Sequence, residues 1–210
     1  MKFLPTTKEE MKSLGWDSID VLLISGDTYL DTSYNGSALV GKWLVEHGFK
    51  VGIIAQPEVD VPDDITRLGE PNLFFAISGG CVDSMVANYT ATKKRRQQDD
   101  FTPGGENNKR PDRAVLVYSN MIRRFFKGTT KKIIISGIES SLRRITHYDY
   151  WTNKLRKPIL FDAKADILSY GMGEMSMLQL ATALKNGEDW QNIRGLCYLS
   201  KEPKEDYLSL

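Results

Sequence analysis

The chain has 210 residues, 41% of them hydrophobic and 26% charged, with 28 Lys and Arg against 27 Asp and Glu for a net charge of +1. That length buries one full core, or a domain with an appendage, and the balanced charge sets up no global field toward nucleic acid or a membrane. No apolar run approaches the ~20 residues of a membrane helix and the first residues lack a hydrophobic signal core, so a cytoplasmic protein is expected.

In chain order, the apolar run 20–25 predicts a buried strand. Leu39, Val40, Trp43 and Leu44 recur at helical spacing over 35–47, and Gly48 stops that helix. Residues 51–55 form the next strand, closed by Gln56-Pro57, and the three elements make a strand–helix–strand unit of crossover length. A short helix over 63–68 follows, then a strand over 73–78 running into Gly79-Gly80. Ala114, Val117, Met121, Ile122 and Phe125 mark an amphipathic helix with Pro111 near its first turn. Strands are expected at 132–136 and 166–170, a helix over 174–185 ended by Asn186-Gly187, and a last strand over 193–199. This alternation predicts an α/β fold: a doubly wound, mainly parallel sheet flanked by helices, Rossmann-like or flavodoxin-like.

Two segments break the rhythm. Residues 89–113 show no apolar periodicity but hold Lys93-Lys94-Arg95-Arg96 and a Pro103-Gly104-Gly105 turn. A loop so long is functional or mobile, and its basic run reads either as a solvated or interdomain loop or as a contact for RNA phosphates. The charged, proline-bearing tail 201–206 reads as the start of a linker.

Open α/β sheets keep ligands where strands end in turns. After the first strand stand Asp27, Tyr29 and Asp31, without the three glycines of a dinucleotide fingerprint and without a phosphate-gripping loop. The two aspartates either bind a hydroxylated or cationic ligand or cap the turn. Gly79 and Gly80 allow close backbone approach to a ligand, or satisfy a tight turn. Glycine-centred polar turns are expected after the strands at 132–136 and 166–170. The first carries Glu139, Ser140, Arg143 and Arg144; the second carries Gly171, Gly173 and Glu174. The paired arginines suit carboxylate or phosphate, or else pair with Asp149, Asp162 or Asp166 to lock loops together. Between the turns, His147-Tyr148-Asp149-Tyr150-Trp151 offers a possible His–Asp base, or a docking surface or half-buried plug. Cys81 and Cys197 stand in no ligand spacing and are expected to be reduced and structural; no metal site is read from them or from the two histidines.

Several runs together resemble one family: Phe3-Leu4-Pro5, Leu14-Gly15-Trp16-Asp17, Val51-Gly52-Ile53-Ile54-Ala55-Gln56-Pro57, Lys109-Arg110-Pro111-Asp112-Arg113-Ala114, Gly137-Ile138-Glu139-Ser140-Ser141-Leu142-Arg143-Arg144, His147-Tyr148-Asp149-Tyr150-Trp151 and Asp162-Ala163-Lys164-Ala165-Asp166. They are similar to the N-terminal domain of YgiQ-type radical S-adenosylmethionine (SAM) proteins. The resemblance implies a longer protein: an N-terminal α/β domain over 1–200, then from 201–210 a linker to a radical SAM core that is the domain's partner. That core would carry a 4Fe–4S cluster and S-adenosylmethionine on a C-x-x-x-C-x-x-C motif, which this sequence lacks. No catalytic residue carries over. The fold is similar to cobalamin-binding domains, but the D-x-H-x-x-G motif that ligates cobalt is absent, which lowers the case for cobalamin without removing it. The residues expected on a ligand-binding or interdomain face are therefore Asp27, Tyr29, Asp31, Gly79, Gly80, Glu139, Ser140, Arg143, Arg144, His147, Tyr150, Gly171, Gly173 and Glu174.

Overall fold

A computed structural model describes residues 3–30 and 35–201 of the chain. In chain order its elements are α1 (Lys8–Ser13), β1 (Val21–Ser25), α2 (Gly36–Glu46), β2 (Val51–Ala55), α3 (Pro62–Thr66), β3 (Phe74–Ser78) and α4 (Ser84–Asn88). There follow α5 (Ala114–Phe125), β4 (Lys132–Ser136), α6 (Gly137–Leu142), β5 (His147–Asp149), β6 (Lys154–Arg156), α7 (Ile159–Ala163), β7 (Ile167–Ser169), α8 (Glu174–Asn186) and β8 (Leu196–Tyr198). Six strands form one sheet in the order β2-β1-β3-β4-β7-β8. The first five lie parallel, and β8 closes the edge antiparallel to β7. The flanking helices complete the doubly wound, Rossmann-like fold that the alternation predicts.

The five parallel strands are buried on both faces, and their side chains divide by parity, as the two-residue period of a strand requires. Leu22, Ile24, Phe75, Ile77, Ile133 and Ile135 face one core layer, with Tyr118 and Ile122 of α5. Val21, Leu23, Phe74, Ala76, Ile134 and Ile167 face the other, with Leu44 of α2 and Leu180 of α8. Both layers are apolar, and at roughly 25 cal/mol per Å² of buried apolar surface they supply the main folding drive.

The chain leaves β1 for β2 on one side and reaches β3 on the other. The strand order therefore reverses between β1 and β3, which is the switch point where such sheets open a crevice at the strands' carboxyl ends.

The structure departs from the sequence expectations in some places and adds to them in others. The polar turn expected after β4 is the helix α6, entered through Gly137 at φ 79°, a left-handed conformation that a β-carbon resists. The His147–Trp151 cluster is built into a β5–β6 hairpin, with Asn153 at φ 54° in its turn. The segment before β1 forms α1, closed by a capping box in which Thr7 accepts from the Glu10 amide while the Glu10 carboxylate accepts from the Thr7 amide.

Candidate functional site

A cleft of about 740 Å³ opens at the carboxyl edge of the sheet, on the α2 and α8 side. Its floor is Leu23, Ala76, Val40 and Met177. Its walls carry the serines that end four strands: Ser25 of β1, Ser78 of β3, Ser136 of β4 and Ser169 of β7. Register puts Ser25 opposite Ser78 and Ser78 opposite Ser136, so the hydroxyls form a row across the edge. Ser37, at the start of α2, and Ser141, in α6, add two more.

These serines also shape the turns that follow them. Ser25 Oγ accepts from the Asp27 amide at 3.1 Å and Ser78 Oγ from the Gly80 amide at 3.2 Å, while Ser136 Oγ donates to the Ile77 carbonyl. Ser169 Oγ bonds Ser176 Oγ at 2.8 Å. The turns are pressed together: a β-carbon on Gly26 would overlap the Gly79 carbonyl, and one on Gly80 would overlap the Asp27 carboxylate. Glycine at these positions answers a packing demand between neighbouring turns. The first turns of α2 and α8 also reach the cleft through Asn35, Gly36, Gly173 and Glu174, and α8 has no side-chain cap on its leading amides. The lining therefore offers hydroxyls, the first turn of α8 without a side-chain cap, the carboxylates of Asp27 and Glu174 and an apolar floor, with no Lys, Arg or His.

Of the fourteen residues expected on a ligand or interdomain face, Asp27, Gly80, Gly171, Gly173 and Glu174 line the cleft. Asp31 lies outside the described residues. Several of the others take part in locks beneath the edge. Asp27 Oδ1 meets Arg110 Nη2 at 2.5 Å, and Asp27 Oδ2 accepts from the Cys81 amide at 2.6 Å. Arg110 is wholly buried, donates to the Gly26 carbonyl and approaches Asp99 at 3.2 Å, which pins the 89–113 loop over the end of β1. Burial raises the Asp27 carboxyl, opposed by the Arg110 charge and the Cys81 amide. Burial and the Asp27 charge push the Cys81 thiol up to about 12, so it stands protonated at neutral pH.

Glu139 is buried at the start of α6, where its carboxylate accepts from the Ser84 and Val115 amides and so tethers the first turns of both α4 and α5. Burial, then the Asp83 charge, raises its carboxyl. Gly79 packs against this carboxylate. Ser140 is buried beside it, its Oγ without a hydrogen-bond partner among the described residues. Arg143 pairs with Asp83, which is the loop lock the sequence allowed for, made with a different aspartate. Arg144 donates to the Ser141 carbonyl and lies 5.2 Å from the Tyr170 ring. Tyr29 hydroxyl accepts from the Leu4 amide, tying the first described residues to the α2 layer.

His147 and Asp149 are not a pair. His147 Nδ1 faces the Ile145 carbonyl at 3.1 Å, whereas Asp149 gathers Arg113, Thr152, Arg156 and the Trp151 amide. Tyr150 donates to the Ala91 carbonyl and joins the hairpin to the 89–113 loop.

The serine row is not among the residues expected from sequence, yet it has a sequence signal: an apolar run, Ser, then Gly closes β1, β3 and β4, and Ser-Tyr-Gly closes β7. Three of the residues lining the cleft are exposed apolar side chains, Leu39, Ile138 and Met172, the last 86% exposed, and the exposed Leu142 and Met175 neighbour its lining residues Ser141 and Glu174 in sequence.

The family described as Radical SAM N-terminal matches residues 3–210. A UPF0313 protein of Fusobacterium nucleatum is 95% identical over 210 residues, all of this chain and 37% of that protein. A UPF0313 protein of Thermotoga neapolitana is 53% identical over 211 residues, 99% of this chain and likewise 37% of its own length. The chain thus spans little more than a third of these relatives. Among solved structures, the radical S-adenosylmethionine methyltransferase TsrM from Kitasatospora setae, with cobalamin and a 4Fe–4S cluster bound, superposes at a TM-score of 0.56 and 17% identity. The match covers 88% of this chain and 28% of that one, and at that identity it speaks to the fold alone.

Proposed function

The chain belongs to the radical SAM N-terminal family, and on that premise we propose that it is the accessory α/β domain of an iron–sulfur radical SAM protein, its carboxyl-edge cleft forming one wall of the active site on the remaining polypeptide. The observation that carries this reading is the apolar rim. Met172 is 86% exposed and lines the cleft with the exposed Leu39 and Ile138, and the exposed Leu142 and Met175 follow in the same two segments, next to the cleft-lining Ser141 and Glu174. A patch of this kind beside a cleft marks an interaction surface.

The cluster does not fit on this chain. The sequence holds only Cys81 and Cys197, and among the described residues no group of three His, Cys, Asp or Glu side chains could hold a metal. Iron–sulfur and S-adenosylmethionine chemistry therefore belongs, in this proposal, to the remaining polypeptide. A corrinoid held through histidine does not fit the cleft either: His47 sits at the far end of α2, His147 lies in the hairpin, and neither lines it. Among the described residues, then, a corrinoid in the cleft would have no histidine ligand from this chain.

Position 172 of a full-length member of the family tests the proposal. A photoreactive benzophenone side chain in place of Met172 should cross-link to peptides beyond the N-terminal domain. Cross-links confined to the N-terminal domain, or none, would contradict it.

A further inference from the structure

The 89–113 loop and the hairpin region combine into a charged face that the near-neutral whole conceals. Residues 89–113 and 144–157 together hold eleven Lys and Arg against five Asp and Glu, a net +6 in a chain of net +1. Three of those five acids are already engaged: Asp99 is buried against Arg110, Asp149 against Arg113 and Arg156, and Asp112 lies 3.6 Å from Arg95. Lys93, Lys94, Arg95, Arg96, Lys109 and Lys154 are all exposed.

Aromatic rings run through the same face. Lys93 Nζ lies 4.9 Å from the Tyr150 ring and 5.4 Å from the Trp151 ring, and donates to the Trp151 carbonyl. Tyr89 packs on Trp151 with ring centroids 4.5 Å apart, and Arg95 lies over Tyr89. These contacts hold the basic run against the hairpin, so the cations are presented from a built surface. Tyr148 and Tyr150 are 57% and 56% exposed. No residue of the loop or the hairpin lines the cleft, so the face is separate from the apolar rim.

We propose that this face binds single-stranded RNA. Clustered cations track a phosphate backbone, and exposed rings stack unpaired bases, the combination that single-strand binders use. A duplex would leave the rings unused, since its bases are already stacked. Thr92, Thr152 and Asn108 are exposed on the same segments and supply hydroxyl and amide partners for the 2′-hydroxyls that set RNA apart from DNA. The proposal does not depend on the cleft reading.

Fluorescence anisotropy of a labelled twelve-nucleotide oligouridine with the 210-residue chain tests it. With about four phosphate contacts, affinity should fall more than tenfold between about 50 and 200 mM salt. Lys94, Lys109 and Lys154 have exposed side chains remote from the core; replacing all three with Gln should lower the log–log salt slope by about three-quarters of a unit per lost contact. Tyr148→Ala should cost about tenfold or more while leaving that slope unchanged, and circular dichroism should show each variant folded. Absent binding at low salt, a triple variant equal to the parent, or equal affinity for oligodeoxythymidine would overturn the proposal. So would binding by this chain but not by a full-length relative, because the face would then be covered by the remaining polypeptide.

Discussion

Arg110 shows how much of the sheet edge rests on one side chain. Its guanidinium is buried with two carboxylates and a backbone carbonyl around it, so no partner can be lost without stranding a charge away from water. Arg110→Met should destabilise the domain by about 3–5 kcal/mol, chiefly because Asp27 and Asp99 are left unpaired. Adding Asp27→Asn and Asp99→Asn should recover much of that loss, as measured by urea unfolding. A single variant no less stable than the parent, or a triple variant no better than the single, would show that the triad is not the lock described. Lysine would not substitute, because an ammonium cannot present the planar fork that meets Asp27, Asp99 and the Gly26 carbonyl together. None of this is visible from local sequence: Arg110 and Asp27 are 83 positions apart. Arginine beside aspartate in a polar loop reads equally well as a ligand contact.

The β5–β6 hairpin is an element too short to hold itself, since an isolated two-stranded ribbon is marginal in water. Its anchor is Asp149, which accepts from Thr152 Oγ1 at 2.6 Å, Arg113 Nη2 at 2.7 Å, Arg156 Nε at 3.2 Å and the Trp151 amide at 3.3 Å. Burial would raise this carboxyl, but the Thr152 and Arg113 hydrogen bonds and the Arg113 charge outweigh it and hold it far below the usual carboxylate range. A carboxylate depressed in the folded state stabilises fully above its unfolded value of about 3.9 and loses that contribution as pH falls further. Asp149→Asn should therefore cost about 1–3 kcal/mol at pH 7. The gap to the parent should narrow in thermal melts taken below about pH 4. A gap that stayed constant with pH would mean the carboxylate charge is not what anchors the hairpin. In sequence, the His-Tyr-Asp-Tyr-Trp string suggests a His–Asp base, because two residues of spacing is compatible with pairing. In a strand, however, residues two apart share a face and their side chains stand parallel, and Asp149 finds its cations on Arg113 and Arg156 instead. The α6 helix was hidden for a related reason: Gly-Ile-Glu-Ser-Ser-Leu reads as a polar turn until Glu139 is seen to be buried against the Ser84 and Val115 amides.

For the whole molecule, the strands of the main sheet and the larger helices were legible because buried parallel strands are continuous apolar runs, and Gly187 ends α8 in the left-handed conformation its position suggests. Strand order was not legible, since no local pattern states that β1 lies between β2 and β3. Yet that order decides where the crevice opens. It brings four strand-ending serines, two leading helix turns and an apolar rim to one edge. Five of the fourteen residues expected on that face line the cleft, and several of the others build the ion pairs and tethers beneath it. This edge is the face proposed to meet the remaining polypeptide, and hydrogen–deuterium exchange can compare it in the 210-residue chain and in a full-length relative. Slower exchange is expected in the full-length protein over 36–40, 137–142 and 170–176, with the outer strand β2 unchanged. Equal exchange in those three segments, with protection appearing on another face, would contradict that proposal.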